Sequence, residues 1–267
     1  EMTRTLSLLI LAFGFFACSE DVEREIQTDL TIESQQLFRA SMAWGESNYF
    51  DLIPLEKYQQ LDSAQLPGCP LVTLDLDFGK VTLDFDQSYE CEQSGPWTRA
   101  GKIHIDFTTV PVSNPTLTLT YEDYSIAGMS LKGSKMFTRL DSSRFRENAD
   151  QLVLSDTNNQ SHYFSISANH TLNFDSLSTV SFISTGTLEG INPAGRNFQI
   201  DLGTGRPYLE TCLESNWLIP ISGQETWEIS RGESSSVGYL ISFGIVNACE
   251  ASALATFPDG RTQNLTF

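Results

Sequence analysis

The chain has 267 residues, with 16 basic against 34 acidic side chains and a formal charge of −18. That charge repels phosphate backbones and anionic headgroups, which excludes charge-driven nucleic-acid binding. The length is ample for one large core or two small all-β units.

In chain order, Arg4 is followed by an apolar run, Leu6 to Ala17, of about twelve residues. The run has the size of a signal-peptide core and is too short to span a bilayer. Glu1 precedes Met2, which is the expected start. Phe15-Phe16-Ala17-Cys18 resembles a relaxed bacterial lipobox. Ala17 meets its small-residue requirement, while Phe15 and Phe16 depart from the usual leucine and small residue. The resemblance implies cleavage before Cys18 by signal peptidase II and a lipid anchor on Cys18; the alternative is ordinary secretion with Cys18 incidental. Acyl chains contribute about 0.8 kcal/mol per buried methylene, enough together for firm attachment. Residues 1–17 are therefore expected to be a lipoprotein signal peptide, and 18–31 an acidic tether. Cys18-Ser19-Glu20-Asp21 resembles the export signal of Bacteroidota lipoproteins displayed on the cell surface. The expected location is the outer membrane, lipid-anchored and surface-exposed, with the periplasmic face as the alternative. A solvated, disordered tether has the same acidic composition.

Residues 32–67 hold the expected short helical segment. From Ile32 to Leu55, the residues Leu37, Phe38, Met42, Trp44, Tyr49 and Phe50 form a loose apolar stripe that Pro54 ends. Residues 68–267 read as strands. "VTLDLDFGKVTLDFD" alternates at period two around a Gly79-Lys80 turn, and "KIHIDF", "TLTLTYEDY", "SHYFSISANH", "TVSFISTG", "NFQIDL", "ETWEIS", "YLISFG" and "SALATF" continue the texture. Asp259-Gly260 signals a closing hairpin. The expected fold is mainly β: an antiparallel, sandwich-like assembly with a short N-terminal helical segment.

After Cys18, the cysteines are Cys69, Cys91, Cys212 and Cys249, an even number that reads as two disulfides in an exported protein. No zinc-type spacing is present. "TLDFDQSYECE" (82–92) and "LISFGIVNACE" (240–250) align without a gap, each with a cysteine upstream and a glycine about ten residues on, Gly101 and Gly260. This faint repeat suggests two similar halves, with a boundary near 140–205. Of the three possible pairings it favours Cys69–Cys91 and Cys212–Cys249.

A wider pattern comprises Cys69-Pro-Leu-Val-Thr, Val81-Thr-Leu-Asp-Phe85, Cys91, Arg99-Ala-Gly-Lys-Ile103, Tyr121-Glu-Asp-Tyr124, Gly128 and Leu131-Lys-Gly133. It ends in Cys212, Pro220-Ile-Ser-Gly223 and Ile241-Ser-Phe-Gly244 before Cys249. This resembles a family of uncharacterised Bacteroidota surface lipoproteins over most of residues 69–267, more weakly between about 140 and 205. Asp86, where the family tends to have glycine, and Trp97, in place of a polar turn, depart from it. The resemblance implies a scaffold of strands, turns and cysteines and carries no catalytic residue.

His104, His162 and His170 sit in no hydrolase, kinase or zinc-protease signature. The candidate site is acidic: Asp75 and Asp77 on one strand face, Asp84 and Asp86 on its hairpin partner. Such carboxylates can ligate calcium, which takes about six to eight oxygens. They can also act as a glycosidase pair at about 5–5.5 or 6.5–9.5 Å. The plainer reading is a solvated sheet face backed by Leu74, Leu76, Leu83 and Phe85. Trp97, Trp217 and Trp227 suggest a sugar-stacking platform, although aromatics in sheets mostly pack inward. Asp62-Ser63-Ala64 and Asp175-Ser176-Leu177 resemble Bacteroidota O-glycosylation sites at Ser63 and Ser176. The expectation is a non-enzymatic surface lipoprotein: a β-rich binding or envelope-structural module without cofactor. Its partners are the membrane through the lipid, and an unidentified protein or glycan. The alternatives are a polysaccharide hydrolase with paired carboxylates and a calcium-dependent glycan-binding module.

Overall fold

The computed structural model describes residues 19–87, 97–109, 115–175, 178–214, 219–232 and 234–267. Residues 1–17, read above as a signal peptide, and Cys18, Cys91, Ser176 and Trp217 lie outside them. The chain is mainly β. Helix α1 spans Ser19–Glu46, followed by short turns α2 (Asn48–Asp51) and α3 (Leu55–Tyr58) and a 3-10 turn at Ser63–Gln65. The segment read as a tether is thus helical from Ser19. Its run of serine followed by glutamate and aspartate is also what a helix N-terminus favours, because acidic residues complement the helix dipole. The run of α1 and α2 ends at Asp51, just before Pro54, and single helical turns follow it.

Strands β1 (Leu71–Asp75), β2 (Lys80–Asp84), β3 (Arg99–Thr109), β4 (Thr116–Ile126), β5 (Met129–Lys132), β6 (Ser134–Arg139) and β7 (Arg144–Ser155) come next. They are followed by β8 (Ser161–Asp175), β9 (Ser178–Ile191), β10 (Asn197–Asp201), β11 (Arg206–Leu209), α4 (Glu210–Glu214), β12 (Ser222–Ser230), β13 (Ser236–Asn247), β14 (Glu250–Thr256) and β15 (Thr262–Leu265). All the strands join one antiparallel sheet in near-sequential order, with β6 and β11 paired off the main path. Residues 140–205 are not a break between halves. Strands β7, β8 and β9, among the longest, run through them and carry the sheet across. The glycines matched by the repeat also differ: Gly101 sits within β3, where a side chain would strike the Asp123 carbonyl at 2.3 Å, whereas Gly260 makes the β14–β15 turn.

Strand β7 is the clearest strand that alternation missed, because Arg144, Arg146, Glu147 and Asp150 interrupt its apolar pattern. A register shift between Ala149 and Leu152, with Gln151 in the left-handed region at φ 61°, moves the strand's phase midway.

The core is organised by α1. Every residue from Ala40 to Ile53 is buried, so this stretch has no solvent face. A helix closed on all sides must be surrounded. Its contacts show by what: Glu46 meets Arg99 of β3, Trp44 meets Glu147 of β7, Ser41 meets Arg206 of β11, and Ser34 meets Gln263 of β15. Strands far apart in the sheet reach one helix only if the sheet curls around it. The two sides approach where Trp97 and Phe267 meet edge to face at 4.8 Å. The result is sandwich-like, with α1 as the filling. Cys212 and Cys249 are bridged, tying α4 to the β13–β14 turn. Cys69 is also disulfide-bonded.

Candidate functional site

The acidic hairpin does not assemble a cluster. Strand β1 stops at Asp75, so Asp77 lies in the turn, and Leu76 is 56% exposed instead of facing the core. The Asp75 carboxylate accepts from the Phe78 amide of that same turn. Asp84 is buried, accepts from the Asp86 amide at 3.0 Å, and lies 3.9 Å from Lys102. Asp86 accepts the Gly101 amide at 2.8 Å, fastening the end of β2 to β3. Asp75, Asp84 and Asp86 each serve local backbone, and no group of metal-ligating side chains occurs among the described residues. Trp227 takes no part in an aromatic platform: it is fully buried and donates to Glu225 at 2.9 Å. Ser63 is half-buried in the 3-10 turn.

The unusual chemistry is inside, along α1. At mid-helix, Glu33 accepts from Asn192, Arg196, Arg231 and Tyr239. Burial alone would raise its carboxyl, but Arg231 and Arg196 hold it below the usual range. Two turns farther on, the guanidinium of Arg206 donates to both Glu225 oxygens and to the carbonyl and hydroxyl of Ser41. Farther on, Glu46 takes Arg99 at 2.7 Å and Tyr124 at 2.8 Å. Lys135 donates to the Trp44 carbonyl, Ser47 and Asn48 at 2.7–2.9 Å, and Glu147 lies 3.5 Å from it. Glu147 accepts from Trp44 at 2.7 Å. Burial pushes its carboxyl upward, but Lys135 and hydrogen bonds from His170 and Trp44 hold it below the usual range.

Ser184, His170 and Glu147 form a relay: Nδ1 of His170 is 2.8 Å from the Ser184 hydroxyl, and Nε2 is 2.9 Å from Glu147. The residue types are those of a hydrolytic triad. All three are buried, at 1%, 0% and 0% exposure, and Phe137 and Phe182 pack on the imidazole. A nucleophile sealed in this way meets no substrate, so the relay ties β7, β8 and β9 together.

Among the cavities lined by described residues, two of contrasting polarity reach this interior. A polar one of about 200 Å³ lies beside Gln36, Arg39, Asp156 and His162, whose imidazole is pushed down to about 4 by burial. An apolar one of about 330 Å³ opens at the far end of the sheet, lined by Ile53, Phe107, Leu117, Phe137, Phe145 and Leu172. Its size falls within the usual range for small-molecule pockets, roughly 300–1,000 Å³. Asp51 also lines it, at 2% exposure, and neither carboxylate oxygen has a hydrogen-bond partner. Burial, and then Glu147 and Glu46, push its carboxyl well above the ordinary range against the opposing pull of Lys135.

The folded state therefore binds this proton more tightly than the unfolded chain, and Asp51 makes stability fall as pH rises from the ordinary carboxylate range to its raised value. Asp51→Asn is expected to raise the melting temperature. The gain should be absent near pH 4, grow with pH and then level off. A gain independent of pH would contradict the assignment.

Sequence reasoning missed these buried ions. Comparison with protein-family models, curated proteins and solved structures gave no match to the chain. No helix among the described residues is long and apolar enough to cross a membrane.

Proposed function

We propose that the chain is a non-enzymatic, lipid-anchored binding module of the bacterial outer surface, attached through Cys18 and holding its ligand in the apolar cavity. The observation that carries this reading is the division of the interior. The buried ion pairs fasten α1 to the sheet, whereas the cavity is open and lined mainly by apolar side chains.

The arrangement of ends supports it. The middle of α1 meets the β9–β10 and β12–β13 turns where Glu33 takes Asn192 and Arg231, and Gln36 meets Gln160 of the β7–β8 turn. The cavity meets the opposite end of β7, at Arg139, Ser142 and Phe145. At about 3.3 Å per residue, a strand of this length separates the two ends by roughly 35–40 Å. An anchor at Cys18 joins the helix at its first end, so the cavity faces away from the membrane. The acidic Ser19-Glu20-Asp21 sequence fits surface display, and the likeness to Bacteroidota lipoproteins fits the compartment.

Replacing Cys18 with alanine is expected to move the protein from the membrane fraction to the soluble fraction and abolish lipid labelling. Protease added to intact cells should digest the wild type. Membrane retention of the variant, with no lipid label on the wild type, would remove the anchor. Full protection from protease would place the module on the periplasmic face.

A further inference from the structure

Arg39 of α1 and Asp156 of the β7–β8 turn both line the polar cavity, yet among the described residues neither makes an ion pair. They stand too far apart to pair directly. Each is fixed in place by backbone. Nη2 of Arg39 donates to the Ala127 carbonyl at 2.8 Å, and Oδ1 of Asp156 accepts the Asn158 and Gln160 amides at 2.8 and 2.9 Å. The rest of the guanidinium and Oδ2 of Asp156 have no partner among the described residues, and neither is closed to solvent. Glu33 does not complete Arg39, because Arg196 and Arg231 already hold it. Gln36 is bonded to Gln160, which ties the turn carrying Asp156 to the helix carrying Arg39 and sets the gap between the two charges.

His162 adds a third group. It is only 3% exposed and lines the same cavity. Its Nδ1 is sealed without a partner, whereas Nε2, also unpartnered, is not sealed. Burial lowers its pKa to about 4, against the pull of Asp156 and Glu33, so the ring stays uncharged at neutral pH and brings no second cation.

We propose that this cavity binds a small zwitterion of the α-amino-acid class, with its carboxylate on Arg39 and its ammonium on Asp156. The site is separate from the apolar cavity and does not depend on the reading of that one. A ligand that spans a fixed cation and a fixed carboxylate must carry both charges in reverse. A lone anion meets Asp156 and the overall charge of −18, and a lone cation leaves Arg39 unpaired. A neutral sugar offers hydrogen bonds but compensates neither charge. The volume sets the size: about 200 Å³ lies below the roughly 300–1,000 Å³ of pockets for drug-sized ligands, which suits an amino acid with a small side chain. Nε2 of His162 then supplies a neutral hydrogen bond.

The test is calorimetric titration of the full chain with L-alanine, propanoate and ethylamine, which carry both charges, the carboxylate alone and the ammonium alone. L-Alanine is expected to bind about tenfold or more tightly than either, in line with the strength of charge-assisted hydrogen bonds. Asp156→Asn keeps an oxygen for the turn amides and removes the charge, and Arg39→Met removes the guanidinium but keeps most of the stem. Each should weaken L-alanine by about tenfold or more. Asp156→Asn should leave propanoate binding no weaker than in the wild type. No binding of L-alanine, binding no tighter than that of propanoate or ethylamine, or unchanged binding in either folded variant would overturn the proposal. If Arg39→Met fails to fold, the comparison of the three ligands on the wild type and on Asp156→Asn decides.

Discussion

Arg206→Ala is expected to cost the fold about 3–5 kcal/mol, the range for breaking a buried ion pair from one side. Arg206 and Glu225 are both sealed, at 0% and 1% exposure. Without the guanidinium, Glu225 keeps the Trp227 indole as its other side-chain donor, and the Ser41 carbonyl and hydroxyl each lose one donor. A lysine at 206 offers a point charge in place of a planar fork and cannot reproduce all four contacts. The cost arises from the stranded charge more than from the pair's net worth. Arg206→Met combined with Glu225→Leu should therefore be less damaging than either single change. Denaturant midpoints at constant slope measure each step. A double variant worse than both singles would show that the pair stabilises the fold outright.

Trp44→Ala is expected to cost a similar amount, about 3–5 kcal/mol, by opening a cavity in the buried last turn of α1. The indole is fully buried, donates to Glu147, and lies between Lys135 at 5.7 Å and Arg206 at 5.2 Å. Trp44→Phe separates packing from polarity. It keeps most of the ring volume and deprives Glu147 of one donor, for which about 1–3 kcal/mol is expected. Equal losses for phenylalanine and alanine would mean that the hydrogen bond, not the packing, dominates.

Most strands and the apolar stripe of the helix were legible because period-two and helical patterns are local properties of the chain. The interior ions left a fainter local sign. Glu225 is in phase with Trp227 and Ile229, Lys135 with Phe137, and Arg206 with Tyr208, so each sits on the inward face of its strand. What no local pattern supplies is the partner. Arg206 lies 19 residues from Glu225, and Lys135 lies 87 residues from Asn48. An inward ion without a visible mate reads as a flaw in the strand. For the same reason, Glu147 concealed β7. The acidic hairpin erred in the other direction: alternation continued on paper through Asp77 and Asp86, whereas the strands end at Asp75 and Asp84.

The central claim is that the sheet wraps around α1 as a structural spine, leaving the far cavity as the place for a ligand. Native-state hydrogen exchange tests it directly. Amides from Leu37 to Trp44 should exchange as slowly as those of central strands β8 and β9, opening only with global unfolding. Exchange of that stretch within minutes, while β8 and β9 stay protected, would show a helix lying on the surface and contradict the account.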